Sequence, residues 1–235
     1  MTTRRDIIKP GLFSKQVAAD SRRVEFDFKN DILVSRKTAV DFVFMGDSIT
    51  HMWELGAYFQ GDRGIIVNRG IGGDTTEYMH KRFEADAIQL RPRAVVLMAG
   101  TNDVFQTADD LWWGVKGRDE AEVENGAVRN VESIAQMAGG AGIRLILCSI
   151  LPTRQLWNNQ QREKNELIAR INGRYKALAG ERGLIFVDYH ARLVDSDGLT
   201  MRDGLSVDGV HPHVLGYDIM ADALRSALAE HGISI

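Results

Sequence analysis

"FVFMGDSITHMW", Phe42 to Trp53, passes from four apolar residues to Gly46-Asp47-Ser48 in a single step. The apolar half is short and does not alternate with polar residues, the pattern of a strand buried on both faces. The polar half has two readings. Ser and Asp both satisfy orphan N–H groups at helix starts, so it suits a turn and a helix cap. It also suits a nucleophilic hydroxyl set where a strand hands over to a helix.

Outward from this stretch the same design recurs. "VDFVFMG" (40–46), "GIIVNRG" (64–70), "AVVLMAG" (94–100), "RLILCSI" (144–150) and "LIFVDY" (184–189) are apolar runs of strand length. Between and after them lie segments with helical spacing. One carries Tyr78, Met79, Phe83, Ala87 and Leu90. Another carries Val123, Val128, Val131, Ile134 and Met137 and ends in a glycine cluster that reads as a C-cap. Residues 161–183 repeat that design, and 213–232 form a last amphipathic helix. Strand alternating with helix predicts an α/β protein: a five-stranded parallel sheet in a three-layer α/β/α, flavodoxin-like arrangement with right-handed crossovers. No repeat or proline-rich linker interrupts 40–235, so one domain is expected there. Residues 1–39 are expected to form an N-terminal arm packing on that domain or on a second copy. Within them "RRVEFDFKN" fits an alternating edge strand or a helix, and helix is favoured.

The bulk numbers narrow the partners. The chain has 235 residues, a net charge of −3, 44% apolar and 26% charged content. The two signs are interspersed, which leaves no electrostatic footprint for nucleic acid or an anionic membrane. No window approaches a membrane span, and no apolar h-region follows the first residues. The single cysteine, Cys148, sits in an apolar run and is expected to be a buried core thiol. A reducing cytoplasm is the expected location.

In open parallel sheets ligands bind beyond the carboxyl ends of the strands. Gly46-Asp47-Ser48 follows the first apolar run, "NRGIGGDTT" (68–76) the second and "GTNDVF" (100–105) the third, while "SVDGVHPH" (206–213) precedes the last helix. The glycine-rich turn does not fit a nucleotide site. Thr75 stands where the third glycine of G-x-G-x-x-G belongs, and no lysine follows to make a P-loop. The serine also lacks the G-x-S-x-G elbow, and His211-Pro212-His213 is too short a cluster for a metal. A serine needs an adjacent base. Asp208, three residues before His211, has two readings: a polar loop whose Asp caps the last helix, or a carboxylate that folds back onto Nδ1 and leaves Nε2 free for the serine proton.

These four segments resemble the four blocks of the SGNH (GDSL-type) hydrolases, in the usual order and over roughly residues 40–225. They read Gly46-Asp47-Ser48-Ile49, Gly70-Ile71-Gly72-Gly73-Asp74, Gly100-Thr101-Asn102-Asp103 and Asp208-Gly209-Val210-His211-Pro212. Ile49 stands where the family's name has Leu. The resemblance implies a serine esterase working through an acyl-serine intermediate, without cofactor or metal. Ser48 would be nucleophile, His211 base and Asp208 its orienting acid. The N–H groups of Ser48 and Gly73 and the amide of Asn102 would form the oxyanion hole. The expected substrate is a small ester, with a short acyl group on a sugar-like alcohol. A lysophospholipase or thioesterase would use the same machinery, and a non-catalytic carbohydrate- or lipid-binding domain is the rival from another class. Asp47, Trp53, Trp112, Trp113 and Trp157 are candidates for substrate contact, although each tryptophan equally suits a core. Thr107–Glu120 reads as a lid or specificity loop. His51 falls near the site with no role assigned; His80, His190, His213 and His231 read as solvent-facing or capping.

Overall fold

Each apolar run supplies one strand: β1 (Val40–Gly46), β2 (Ile65–Gly70), β3 (Ala94–Met98), β4 (Arg144–Cys148) and β5 (Ile185–Val187). The computed structural model describes residues 8–14, 17–109, 116–156 and 158–235. The strands form one sheet in the order β2-β1-β3-β4-β5, parallel throughout. The long helices are α1 (Asp20–Arg36), α4 (Thr76–Asp86), α6 (Glu120–Gly140), α7 (Gln161–Arg182) and α9 (Val214–Ala229). Four short ones, α2 (Ser48–Met52), α3 (Leu55–Tyr58), α5 (Thr101–Phe105) and α8 (Tyr189–Leu193), come soon after strand ends. No described helix is long and apolar enough to cross a membrane.

The strands lack alternation because both faces of the sheet are buried. On one face Val43, Met45, Val95, Leu97, Leu145 and Leu147 pack with Phe83 of α4, Ile134 of α6 and Ile168 of α7. On the other, Phe42, Phe44, Val96, Met98, Ile146 and Cys148 pack with Leu193 of α8 and Met220 and Leu224 of α9. The result is three layers. Cys148 is fully buried, as its run implies, and burial pushes its thiol up to about 12. The glycine cluster after the third strand's helix marks where α6 stops. The helix runs through Gly139 and Gly140, and Gly142 then takes φ +69°.

The stretch open to two readings is helical. The pattern around "RRVEFDFKN" alternates, yet α1 buries Arg23, Phe26, Asp27 and Asn30, the i, i+3, i+4, i+7 set. Its buried face is half ionic. Arg23 pairs with Asp27 at 2.7 Å and with Asp86 of α4. Asp86 also accepts from Asn30 Nδ2 and from Arg82 Nη1, each at 3.0 Å. Arg23, Arg82 and Asp86 are wholly buried.

The chain leaves β1 for β2 on one side and returns to β3 on the other. That reversal opens a crevice above the carboxyl ends of β1 and β3, where the segments after these strands meet.

Removing one member of a buried ion cluster strands the others without water or partner. Asp86→Ala should therefore cost about 3–5 kcal/mol in urea unfolding. A loss under about 1 kcal/mol, the scale of an exposed pair, would show that α1 is not held by these charges.

Candidate active site

Ser48 is placed by a turn that tolerates no other shape. A side chain at Gly46 would collide with Thr50 and with the Met98 carbonyl, so β1 can approach β3 and α2 only through glycine there. Asp47 then caps α2, its Oδ1 accepting from Ile49 N at 2.9 Å. Ser48 is the first residue of α2, and its N–H belongs to the first turn, which has no intrahelical acceptor. Its hydroxyl is half-buried at the top of the sheet.

An imidazole reaches Ser48 from the loop before α9. His211 Nε2 lies 2.8 Å from Ser48 Oγ, and Nδ1 lies 2.6 Å from Asp208 Oδ2. The other oxygen of Asp208 accepts from His211 N at 2.8 Å, Val210 N at 2.9 Å and the Ser206 hydroxyl at 3.1 Å. Burial alone would raise the Asp208 carboxyl. The hydrogen bonds from the His211 ring and from the His211 and Val210 amides outweigh it and hold the group well below the usual carboxylate range. The acid is thus an anion at any working pH, although its side chain is 54% exposed. Its backbone bonds fix it without burial.

Opposite the serine stands the glycine turn. Gly73, exposed in the same loop as Gly72, takes φ +78°, a conformation open to glycine at little cost. A Cβ built on Gly72 would sit 3.9 Å from both Ser48 Cβ and His51 Nδ1, so this loop borders the serine directly. Asn102, in α5, donates one amide hydrogen to the Asp74 carbonyl at 2.9 Å. That bond orients the amide and leaves its second hydrogen available.

Arg82 holds these parts in register. It is fully buried, its Nε donates to Asp74 Oδ2 at 2.8 Å and its Nη2 to the Gly46 carbonyl at 3.2 Å. The neighbour of Asn102 is tied in as well: Asp103 accepts from Thr76 N at 3.0 Å and from the Thr76 hydroxyl at 2.5 Å. Burial pushes the Asp74 carboxyl up to about 6 despite Arg82 beside it. Asp74 and Asp103 stand in the sequence blocks with no role of their own, and the only trace of Arg82 and Asp86 is their spacing, four apart on the side of α4 that carries Phe83.

Two candidates for substrate contact are corrected. Asp47 is wholly buried beneath the serine and works as a cap, with no surface to offer a ligand. Trp53 is 3% exposed and packs in the core, stacked on Tyr217 at 5.2 Å and edge-on to Phe44 at 5.8 Å. Its position after α2 turns it down onto the sheet rather than up to the crevice. Trp112, Trp113 and Trp157 lie outside the described residues, as does residue 110–115 of the loop read as a lid. His213 caps α9 through Leu215 N at 3.3 Å. His51 is exposed one turn beyond Ser48.

Chemically, the arrangement offers a hydroxyl with an imidazole on it, an anion behind the imidazole and a glycine-rich loop bordering the hydroxyl. The profile of the GDSL-like lipase/acylhydrolase family matches residues 44–219, which hold all four segments. The chain belongs to this family. It is 31% identical over 199 residues to the platelet-activating factor acetylhydrolase IB subunit alpha1 of Bos taurus, covering 83% of this chain and 77% of that protein. It is 28% identical over 158 residues to an acetylxylan esterase of Geobacillus stearothermophilus, covering 67% and 69%. A GDSL-like lipase from Bacteroides thetaiotaomicron superposes with a TM-score of 0.71 at 28% identity, over 88% of this chain and 97% of that one. This GDSL-like acylhydrolase is accordingly a carboxylic ester hydrolase, with the three-layer fold of its relatives.

Burial pushes the Asp47 carboxyl up to about 6. A carboxyl raised in the folded state contributes stability below its unfolded value and loses it as pH rises through 6, leaving a buried anion above. Asp47→Asn keeps a capping side chain and removes that anion. The variant should melt above the wild type near pH 8, with the gain shrinking toward about pH 5. An equal difference at both values would show that Asp47 carries no such shift.

Proposed function

We propose that the protein is a serine esterase that removes short acyl groups, acetyl above all, from sugar-like alcohols through an acyl-serine intermediate. The observation that carries this reading is the relay of 2.8 Å from Ser48 Oγ to His211 and 2.6 Å from His211 to Asp208. Ser48 Oγ attacks the ester carbonyl while Nε2 of His211 takes its proton. The carbonyl π electrons move onto oxygen, and the N–H groups of Ser48 and Gly73 and the free amide hydrogen of Asn102 receive that charge. Collapse of the tetrahedral intermediate breaks the bond to the alcohol, which leaves with the proton from His211. Water, deprotonated by the same imidazole, then attacks the acyl-serine. Carboxylic acid departs and Ser48 recovers its proton. Asp208 stays ionised throughout, holding the ring in the tautomer that presents Nε2.

The acetyl group is supported by two relatives whose names specify acetyl hydrolysis, and the sugar-like alcohol by the acetylxylan esterase among them. A second reading, a lysophospholipase or thioesterase on the same residues, has its own support. Met52, at the end of the helix that Ser48 opens, and Val207, next to Asp208 in the chain and 92% exposed, are apolar surface that would suit an apolar substrate.

Ser48→Ala should abolish ester hydrolysis and labelling by a fluorophosphonate. Asn102→Ala should lower kcat by about 10²–10³ with little change in KM, since its bond strengthens in the transition state. An effect on KM alone would remove Asn102 from the oxyanion hole. Asp208→Asn should cut kcat steeply in a protein that still folds; wild-type turnover would dismiss the relay.

The two substrate readings separate along a p-nitrophenyl ester series. Acetyl and propionyl esters should exceed octanoyl by at least about tenfold in kcat/KM, some 1.4 kcal/mol of differential transition-state binding. A maximum at eight carbons or beyond would favour the second reading. Acetate release from acetylated xylan fragments tests the alcohol half.

A further inference from the structure

Eleven large apolar side chains stand exposed among the described residues, and five of them belong to the N-terminal arm: Ile8, Leu12, Val24, Phe28 and Ile32. Three of the five form a stripe. Val24, Phe28 and Ile32 recur every four residues along α1, on the side away from Arg23 and Asn30, with Phe28 67% and Ile32 61% exposed. The segment that carries Ile8 and Leu12 runs beside this stripe. It is tied to α1 by Lys9 on Asp31 at 2.6 Å and by Gly11 N on Asp27 at 3.3 Å. A solvated helix face carries charge on such positions, and an apolar one marks an interaction surface.

The order of residues along α1 says what covers it. Reversed about Phe28, the helix matches itself: Val24 falls opposite Ile32, Ser21 opposite Ser35, and Asp20 opposite Arg36. The helix carries an acid in its first turn and a base in its last, so antiparallel pairing brings opposite charges together at both ends. Glu25 and Asp31 also come opposite one another, and each already holds a cation of its own chain, Lys29 and Lys9. A surface that is complementary to its own reverse is what a two-fold, isologous contact requires. We infer that the stripe is a homodimer interface, in which α1 packs antiparallel on α1 of a second copy with the two-fold axis passing at Phe28.

The contact would lie on the outer side of a helix whose inner side supports the glycine turn. Arg22 donates to the Gly70 carbonyl at 2.9 Å, and a Cβ on Gly73 would meet Ala18 at 3.0 Å. Pairing therefore leaves the crevice open while it holds α1 on the domain. The contact involves none of Ser48, Asp208 and His211, so mass and covalent linkage report on it whatever the substrate.

Sedimentation velocity on the full chain at micromolar concentration should give twice the chain mass. Phe28→Asp should give a monomer with unchanged esterase activity per active site. Cross-linking then tests the geometry. The buried Cys148 gives no background, so an introduced cysteine is the only reactive thiol. Phe28→Cys should form a disulfide-linked dimer under mild oxidation, because a residue at the axis meets its own copy. Val24→Cys and Ile32→Cys should each link poorly alone and efficiently when mixed, as opposed positions come within disulfide reach. A monomeric wild type overturns the inference. So does a dimer that survives Phe28→Asp, or one in which the mixed pair links no better than either variant alone.

Discussion

One buried guanidinium sets the spacing of the site. Arg82 reaches the Asp74 carboxylate beside the glycine turn and the Gly46 carbonyl beneath the serine turn, and its third nitrogen reaches Asp86. A charge taken out of water is tolerable only if every donor finds an acceptor, so the three contacts support one another. The serine and the loop facing it are on different elements, β1–α2 and β2–α4. Their separation is decided by the span of a rigid, planar group. Through Asp86 the same cluster takes in Arg23, so the placement of α1 depends on it too.

Much of this architecture is legible in the residues, for a simple reason. A strand buried on both faces must be apolar at every position, and a turn at its end must be polar and small, so the transition at Gly46 stands out against any background. The crossing from β2 through β1 to β3 then brings the segments at 47–48, 70–74 and 100–103 together with no further information. The loop at 206–213 arrives because α9 packs on the opposite layer.

What escapes the residues does so because contact depends on direction, and position in the chain does not supply it. Trp53 comes after a strand and a short helix, which fixes the end of the sheet but not whether the ring turns up or down. It turns down, against Tyr217 and Phe44. Asp47 adjoins the serine, yet alternate residues at a helix start point to opposite sides, and its carboxylate folds inward as a cap. Arg82 and Asp86 have the spacing of an ordinary solvated ion pair; only the packing of α1 over α4 turns them into core. In "RRVEFDFKN" the alternation is genuine and irrelevant, because charged residues occupy the buried positions.

Asp208 and His211 share one short loop, and most of the bonds that shape it are its own. Ser206 bridges to Pro212, Gly209 N donates to Ser206 Oγ, and His213 N returns to Leu205. Outside anchors are fewer, among them Arg154 N on the Gly209 carbonyl at 2.7 Å. The pair therefore behaves as a single cartridge. The bond from His211 to Asp208 is made within the loop, whereas the 2.8 Å step to Ser48 crosses from the loop to α2. A fluctuation that lifts the loop would not detune the imidazole by degrees. It would part the imidazole from Ser48 with the bond to Asp208 kept, and reseating would restore the 2.8 Å contact without any rearrangement inside the pair.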